Sequence, residues 1–348
     1  MNGVVHGGAQ DDELARYGLI AADIIDLSAN LHPDGPDPMV VEAARGAVLD
    51  RYPQATALPL RDAIALAHGL VPASVLVVPG GTVGIHIVAR TLLRPGDQAT
   101  VTAPSFGEYA AATAVTGAAI SGVTAFPPDF ELNVDTLPRA TVTFLCIPDN
   151  PTGRDLTRED VLRAVEVTGG TVVVDAAYEP FVDRAPFASD LAQSTSGVVA
   201  IHSMTKLHAV PGLRLGYVVA TPERIAQLGA LLPSWSIDAP SIAAGIVAAG
   251  QHELRRGALQ EMRETRERLR ARWLASGLEV APGTANFLLV KVGHARAVRE
   301  ALLAKRIVVR DASSFGLPEW IRVAVPASQH ADAVGLAVIA AVMGDGAA

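Results

Sequence analysis

Apolar and polar positions along this chain alternate on two length scales. Short apolar runs at 75–78, 99–102, 141–147, 171–174, 198–202 and 217–220 are separated by longer stretches of helical character. Runs this short, bounded by turn residues, predict strands buried on both faces. Their alternation with helices predicts an α/β fold with a mostly parallel sheet covered on both sides. This pattern spans 46–238, and Pro233-Ser234-Trp235 marks a break at its end. An Ala-, Leu- and Arg-rich helix is predicted over about 240–276. The tail alternates again, at 286–291, 295–305, 307–310, 320–325 and 328–343, so 239–348 reads as a linking helix and a smaller α/β domain. Residues 1–45, rich in turn formers, form an arm expected to pack with that smaller domain.

With 348 residues, half of them hydrophobic, the chain can bury a large core or two unequal ones. A net charge of −8 and no block of lysine or arginine exclude a nucleic-acid partner from the expectations. The single cysteine, Cys146, lies in an apolar run and cannot form an internal disulfide, which suits a reducing cytoplasm. Residues 1–12 lack the basic start and apolar core of a signal peptide. Apolar stretches are broken well before membrane-spanning length, so no membrane role is expected. Neither composition nor motif suggests a metal site.

The densest chemistry lies in Ser203-Met204-Thr205-Lys206, with Arg214 eight positions after the lysine. A lysine amine condenses with an aldehyde, and hydroxyls with a planar guanidinium suit a phosphate dianion. Asp175 closes the run Thr171–Val174, Tyr178 follows it, and Asn150 stands just past the run ending at Ile147. These polar residues fall at the C-terminal side of predicted strands, where ligands of open α/β sheets bind. A carboxylate buried at a strand end needs a cationic partner, and a protonated pyridine nitrogen is one. Pyridoxal phosphate uses all of these residues.

On these motifs the chain resembles the fold-type I pyridoxal-phosphate enzymes, the aspartate aminotransferase superfamily, from His6 to Arg322. The resemblance implies a large seven-stranded-type sheet between helices, a smaller C-terminal domain and a homodimer with shared active sites. It implies that Lys206 binds the cofactor and moves protons, and that Asp175 pairs with the ring nitrogen. Asn150 and Tyr178 match residues that bond the ring's 3-hydroxyl, and Phe106 matches the aromatic that stacks on the ring. Ser203, Thr205 and Arg214 match the phosphate ligands, joined by the helix start at Gly81, Thr82 and Val83. Tyr52 matches a tyrosine that reaches the phosphate of the neighbouring subunit, and Arg322 an arginine that grips the substrate carboxylate.

Within the superfamily, His6-Gly7-Gly8, Asn30-Leu31-His32-Pro33, Pro233-Ser234-Trp235-Ser236 and Arg310-Asp311-Ala312-Ser313-Ser314 resemble the threonine-phosphate decarboxylases of cobalamin side-chain synthesis. The histidinol-phosphate aminotransferases share much of this frame. The resemblance implies a small phosphorylated amino-acid substrate, with His6, Asn30, Arg310 and Arg322 as its ligands. Decarboxylation of L-threonine O-3-phosphate is the leading expectation, and transamination of histidinol phosphate with 2-oxoglutarate or glutamate the alternative. Two departures from the family pattern, Asp149 and Ala176, add one carboxylate near the site and remove another.

Overall fold

The computed structural model describes residues 7–345. The twelve strands among them are β1 (Ile25–Asp26), β2 (Val75–Val78), β3 (Gln98–Ala103), β4 (Ala119–Thr124), β5 (Val142–Cys146), β6 (Thr171–Asp175), β7 (Val198–Ser203), β8 (Gly216–Val219), β9 (Phe287–Lys291), β10 (Ile307–Val308), β11 (Arg310–Asp311) and β12 (Trp320–Ala324).

Seven of these strands form one sheet in the order β2-β8-β7-β6-β5-β3-β4. Strand β8 runs antiparallel to both β2 and β7, while the other neighbouring pairs are parallel. The central strands carry apolar residues on both faces, as a sheet sandwiched between helices requires. Leu145, Val172, Val174, Ala200 and Val219 pack on one side. Phe144, Val173, Val199, Ile201 and Val218 pack on the other. Each Leu, Val, Ile or Phe among them contributes about 1.5–3 kcal/mol of burial. Strand β4 was not visible in the sequence pattern; it lies at the sheet edge, and its residues are largely exposed.

The region predicted as one helix over 240–276 is three helices, Ala239–Gly250, His252–Gly257 and Gln260–Ala275. A smaller antiparallel sheet, β11-β12-β9, packs with Trp273 and the helices Ala295–Leu303 and Ala331–Asp345. The arm reaches this region through β1, which pairs in parallel with β10. No helix among the described residues is long and apolar enough to cross a membrane.

A cluster of histidines lies on the β7–β8 side of the large sheet. The His202 ring stacks on Tyr217 at 4.7 Å, and the His68 and His252 rings meet at 4.3 Å. His68 Nε2 lies 2.9 Å from the Tyr217 hydroxyl, and His202 Nε2 lies 2.9 Å from Ser189 Oγ. His208 adjoins this group, and its buried Nδ1 has no hydrogen-bond partner. Burial pushes His202 down to about 3, His208 to about 4 and His252 to about 2, and it lowers His68 as well. Nearby His32, also buried, is pushed down to about 4, again chiefly by burial and then by Arg255.

Candidate active site

The parallel strands end along one edge of the large sheet, and the chemistry-bearing residues collect there. Strand β6 ends in Asp175 and β7 in Ser203, β5 leads to Asn150, and β2 leads to Gly80 and Gly81. Because β8 runs the other way, it begins at this edge, so Arg214 just before it joins the residues that follow the parallel strands. These residues line a cavity of about 710 Å³. Gly81, Thr82, Val83, Phe106, Asn150, Asp175, Tyr178, Ser203, Thr205, Lys206, Arg214, Asn30, Arg310 and Arg322 all border it. Tyr52 does not: it is 82% exposed and rests against Trp235, ring to ring at 5.2 Å. His6 lies outside the described residues.

Lys206 sits in the short helix Met204–Leu207 that follows β7. Burial, then Arg322 and Arg214, lowers its ammonium to about 8, while Asp175 pulls the other way. A lysine in this state presents an appreciable fraction of free amine near neutral pH. Asp175 is buried, and burial raises its carboxyl above the usual range. The Tyr109 hydroxyl donates to Asp175 Oδ2 at 2.8 Å and the Ala177 N–H to Oδ1 at 3.1 Å, which stabilise the charged form. Among the described residues, Lys206 adds a cationic influence that lowers this carboxyl, and Asp149 an anionic one that raises it. A cation brought beside it would therefore be bound strongly.

At the other end of the cavity, Ser203 Oγ and Thr205 Oγ1 lie 2.8 Å apart. The twelve-residue helix Gly81–Leu92 points its N-terminus here. Gly80 has φ +86°, and a Cβ on it would sit 2.8 Å from Arg214 Nη2, so a side chain would fill the space beside the guanidinium. Paired hydroxyls, a helix start and an arginine around a side-chain-free space fit a phosphate. The buried carboxylate and the lysine border the same cavity, and an aldehyde-bearing pyridine has a use for each. The residues present fit pyridoxal phosphate.

The substrate side is built from the small sheet and the arm. Arg310 and Arg322 are directly paired across β11 and β12, which places their side chains on one face. Arg322 is buried and donates through Nη1 to Asn150 Oδ1 and through Nη2 to the Ser28 carbonyl, the latter at 2.7 Å. Its Nε has no hydrogen-bond partner. Burial, with Tyr178 opposing, brings its pKa down to about 10. Arg310 donates to Ser314 Oγ at 2.8 Å. Asn30 Nδ2 donates to the Tyr178 hydroxyl at 3.2 Å, joining two candidates 148 positions apart.

The two departures from the family pattern do not border this cavity. Asp149 is fully buried and accepts from Ser105 Oγ and Thr152 Oγ1, with Arg154 Nη2 at 3.7 Å. Burial raises its carboxyl and Arg154 lowers it. Ala176 faces the histidine cluster beside His68, His202, His208 and His252. Ala176 thus removes a carboxylate from the histidine side rather than from the cavity, whereas the charge of Asp149 reaches Asp175 and raises its carboxyl. Sequence reasoning missed Tyr109 and Ser28 as partners of Asp175 and Arg322. Tyr109 had a signal, lying three residues after Phe106 in the first turn of the helix Glu108–Ala114; Ser28 acts through its carbonyl and had none.

Residues 22–338 match the aminotransferase class I and II family. The chain belongs to that family. Pyridoxal phosphate is accordingly its cofactor, and the protein is an enzyme of the pyridoxal-phosphate-dependent type. A histidinol-phosphate aminotransferase of Symbiobacterium thermophilum is 35% identical over 336 residues, covering 93% of this chain and 92% of that protein. One from Haloferax volcanii is 34% identical, covering 91% and 89%. Among solved structures, the histidinol-phosphate aminotransferase of Sinorhizobium meliloti in complex with pyridoxal 5'-phosphate superposes with a TM-score of 0.84 at 22% identity, covering 97% of this chain and 95% of that one. The L-threonine-O-3-phosphate decarboxylase of Porphyromonas gingivalis superposes with a TM-score of 0.79 at 23% identity, covering 92% and 98%. At these identities the structural likenesses establish the fold alone.

Proposed function

We propose that this enzyme is an aminotransferase that takes its amino group from a phosphorylated amine of the histidinol-phosphate kind and passes it to 2-oxoglutarate. The observation that carries this reading is the cross-strand pair Arg310 and Arg322. Like charges directly opposite one another cost stability, so two guanidinium groups on one face of a small sheet suit a dianionic ligand. Transamination in a single cavity needs one anion site to accept two ligands in turn, a phosphate monoester and a dicarboxylate. A paired arginine site serves both. Relatives 35% and 34% identical over most of the chain carry the histidinol-phosphate aminotransferase name, which favours transamination over the decarboxylation expected from the sequence.

When bound, pyridoxal phosphate withdraws electrons from the bonds of the substrate carbon that bears nitrogen. Ser203, Thr205, Arg214 and the helix start at Gly81 hold the phosphate. Asp175, whose carboxyl burial raises and the Tyr109 hydroxyl and Ala177 N–H lower, would hold a proton on the ring nitrogen. Asn150 and Tyr178 would hold the ring oxygen, and Phe106 would cover one face. Lys206 Nζ is the amine that would hold the cofactor's aldehyde, and the same nitrogen would move the proton at the substrate carbon. Arg310 and Arg322 orient the anionic end so that this C–H bond faces Lys206, and positioning of this kind accounts for large factors in rate. Tyr52, exposed beside Trp235, fits a homodimer in which it reaches the partner's phosphate site.

The test is a half-reaction. Cofactor-loaded protein mixed with histidinol phosphate, without keto acid, should lose its aldehyde absorption once per subunit, and 2-oxoglutarate should restore it. The Lys206→Ala variant should show neither change. Release of CO₂ from L-threonine O-3-phosphate over many turnovers, with no spectral change from histidinol phosphate, would replace this reading with the decarboxylase. That second reading keeps one observation in its favour: the Gly7-Gly8 segment borders the substrate side of the cavity.

A further inference from the structure

The arm's first described residues meet the active site through a small set of polar contacts that the reaction chemistry leaves unexplained. Asp26, at the end of β1, has an exposed carboxylate at the cavity mouth. It is nonetheless fully engaged. Its Oδ1 accepts from the Ser28 N–H at 2.9 Å and from the Ser28 hydroxyl at 2.6 Å, and its Oδ2 accepts from the Ala9 N–H at 3.1 Å. Having donated its proton to Asp26, Ser28 Oγ accepts from the Gly8 N–H at 2.9 Å. One carboxylate thus fixes two successive backbone amides of the arm, one directly and one through a hydroxyl.

The same serine holds the substrate arginine, since the Ser28 carbonyl accepts from Arg322 Nη2. Gly7 sits directly over this contact. A Cβ on Gly7 would lie 2.3 Å from the Ser28 oxygen and 3.3 Å from Arg322 Nη2. Gly8 adopts φ +108°, a conformation that side chains other than hydrogen rarely take. The two glycines therefore have distinct reasons: one permits close approach and the other the turn that carries the chain away.

We propose that Asp26 is a positioning residue for the substrate: it latches Gly8 and Ala9 so that the segment Gly7–Gln10 closes the cavity beside Arg322 and fixes that guanidinium for the anionic end of the substrate. The latch touches neither cofactor nor reacting atoms. It acts on binding by holding the Ser28 carbonyl in place and by keeping water from the buried guanidinium, where a charge-assisted contact is strongest. The proposal rests on Arg322 being an anion ligand.

Hydrogen exchange at the amides of Gly8 and Ala9 in the cofactor-loaded protein, read alongside steady-state kinetics, tests it. The Asp26→Ala variant should speed exchange in this segment on the order of tenfold, the worth of one or two lost hydrogen bonds to a charged group. KM for the phosphorylated amine should rise on the same order, with a smaller fall in kcat and an unchanged cofactor spectrum. Asp26→Asn, which retains one acceptor oxygen, should recover part of both effects, and Ser28→Ala should free Gly8 while leaving Ala9 bound. Wild-type exchange in Asp26→Ala, or faster exchange with KM unchanged, would overturn the latch. Failure of the underlying role would look different: Arg322→Ala would then leave KM unaltered while the exchange results stood.

Discussion

Acidification should destabilise this enzyme through its buried histidines, by an amount set by their surroundings. His32, His202, His208 and His252 have folded-state values near 4, 3, 4 and 2, against about 6.5 in the unfolded chain. Between those values the unfolded state binds protons that the folded state refuses, so stability falls as pH falls. Lowering the pH from 7.5 to 5.5 gives each unfolded histidine about 1.3 kcal/mol of protonation free energy that the folded one hardly shares, or roughly 5 kcal/mol for the four. Asp149, Asp175 and Glu179, with carboxyl values raised mainly by burial, act in the opposite sense over their own range. A variant comparison isolates the histidines. Thermal unfolding of the wild type should drop by on the order of 10 °C between the two pH values. A His202→Gln/His208→Gln protein should lose about half as much, whatever its stability at pH 7.5. Equal pH slopes for the two proteins would show that these histidines are not held neutral by the fold.

In protein stripped of cofactor, capture of pyridoxal phosphate should quicken about tenfold from pH 7 to 9 with a midpoint near 8, following the Lys206 amine; a midpoint above 10, read by stopped-flow absorbance, would mean that the lysine is not desolvated. Tyr109→Phe removes the hydroxyl donated to Asp175 and should lower kcat on the order of tenfold, with little change in KM, because the carboxylate beside the ring becomes harder to ionise. Arg154→Ala should cost about 3–5 kcal/mol in denaturant unfolding by stranding the buried Asp149, whereas Asp149→Asn should cost far less.

The strands of the large sheet were legible because their residues are buried on both faces and read as unbroken apolar runs. Val142–Cys146 and Thr171–Asp175 are examples. Strand β4 escaped because its edge position demands no apolar run, and Ser121 and Gly122 interrupt it. The single helix expected at 240–276 reflects periodicity that continues across Gly250 and Gly257, where the chain turns. At the site, most residues named from the sequence border one cavity, Tyr52 excepted, since the expected chemistry restricts their type. Partners acting through a carbonyl, as Ser28 does on Arg322, place no demand on side-chain identity and leave no trace in sequence. The direction of β8 was equally hidden, because strand polarity depends on pairing rather than on composition.

The register of the small sheet has a consequence for how such an enzyme changes its selectivity. The cofactor's contacts come from the ends of the large-sheet strands, while Arg310 and Arg322 ride together on β11 and β12. Locked opposite each other, their Cβ atoms stand about 5 Å apart, a spacing set by backbone pairing rather than by side-chain choice. The pair behaves as a fixed-gauge caliper mounted on a separate block. Tilting or sliding that block re-aims both jaws at once, and it also moves the Arg322 contact with Asn150, so the two sides of the cavity are coupled at that one hydrogen bond.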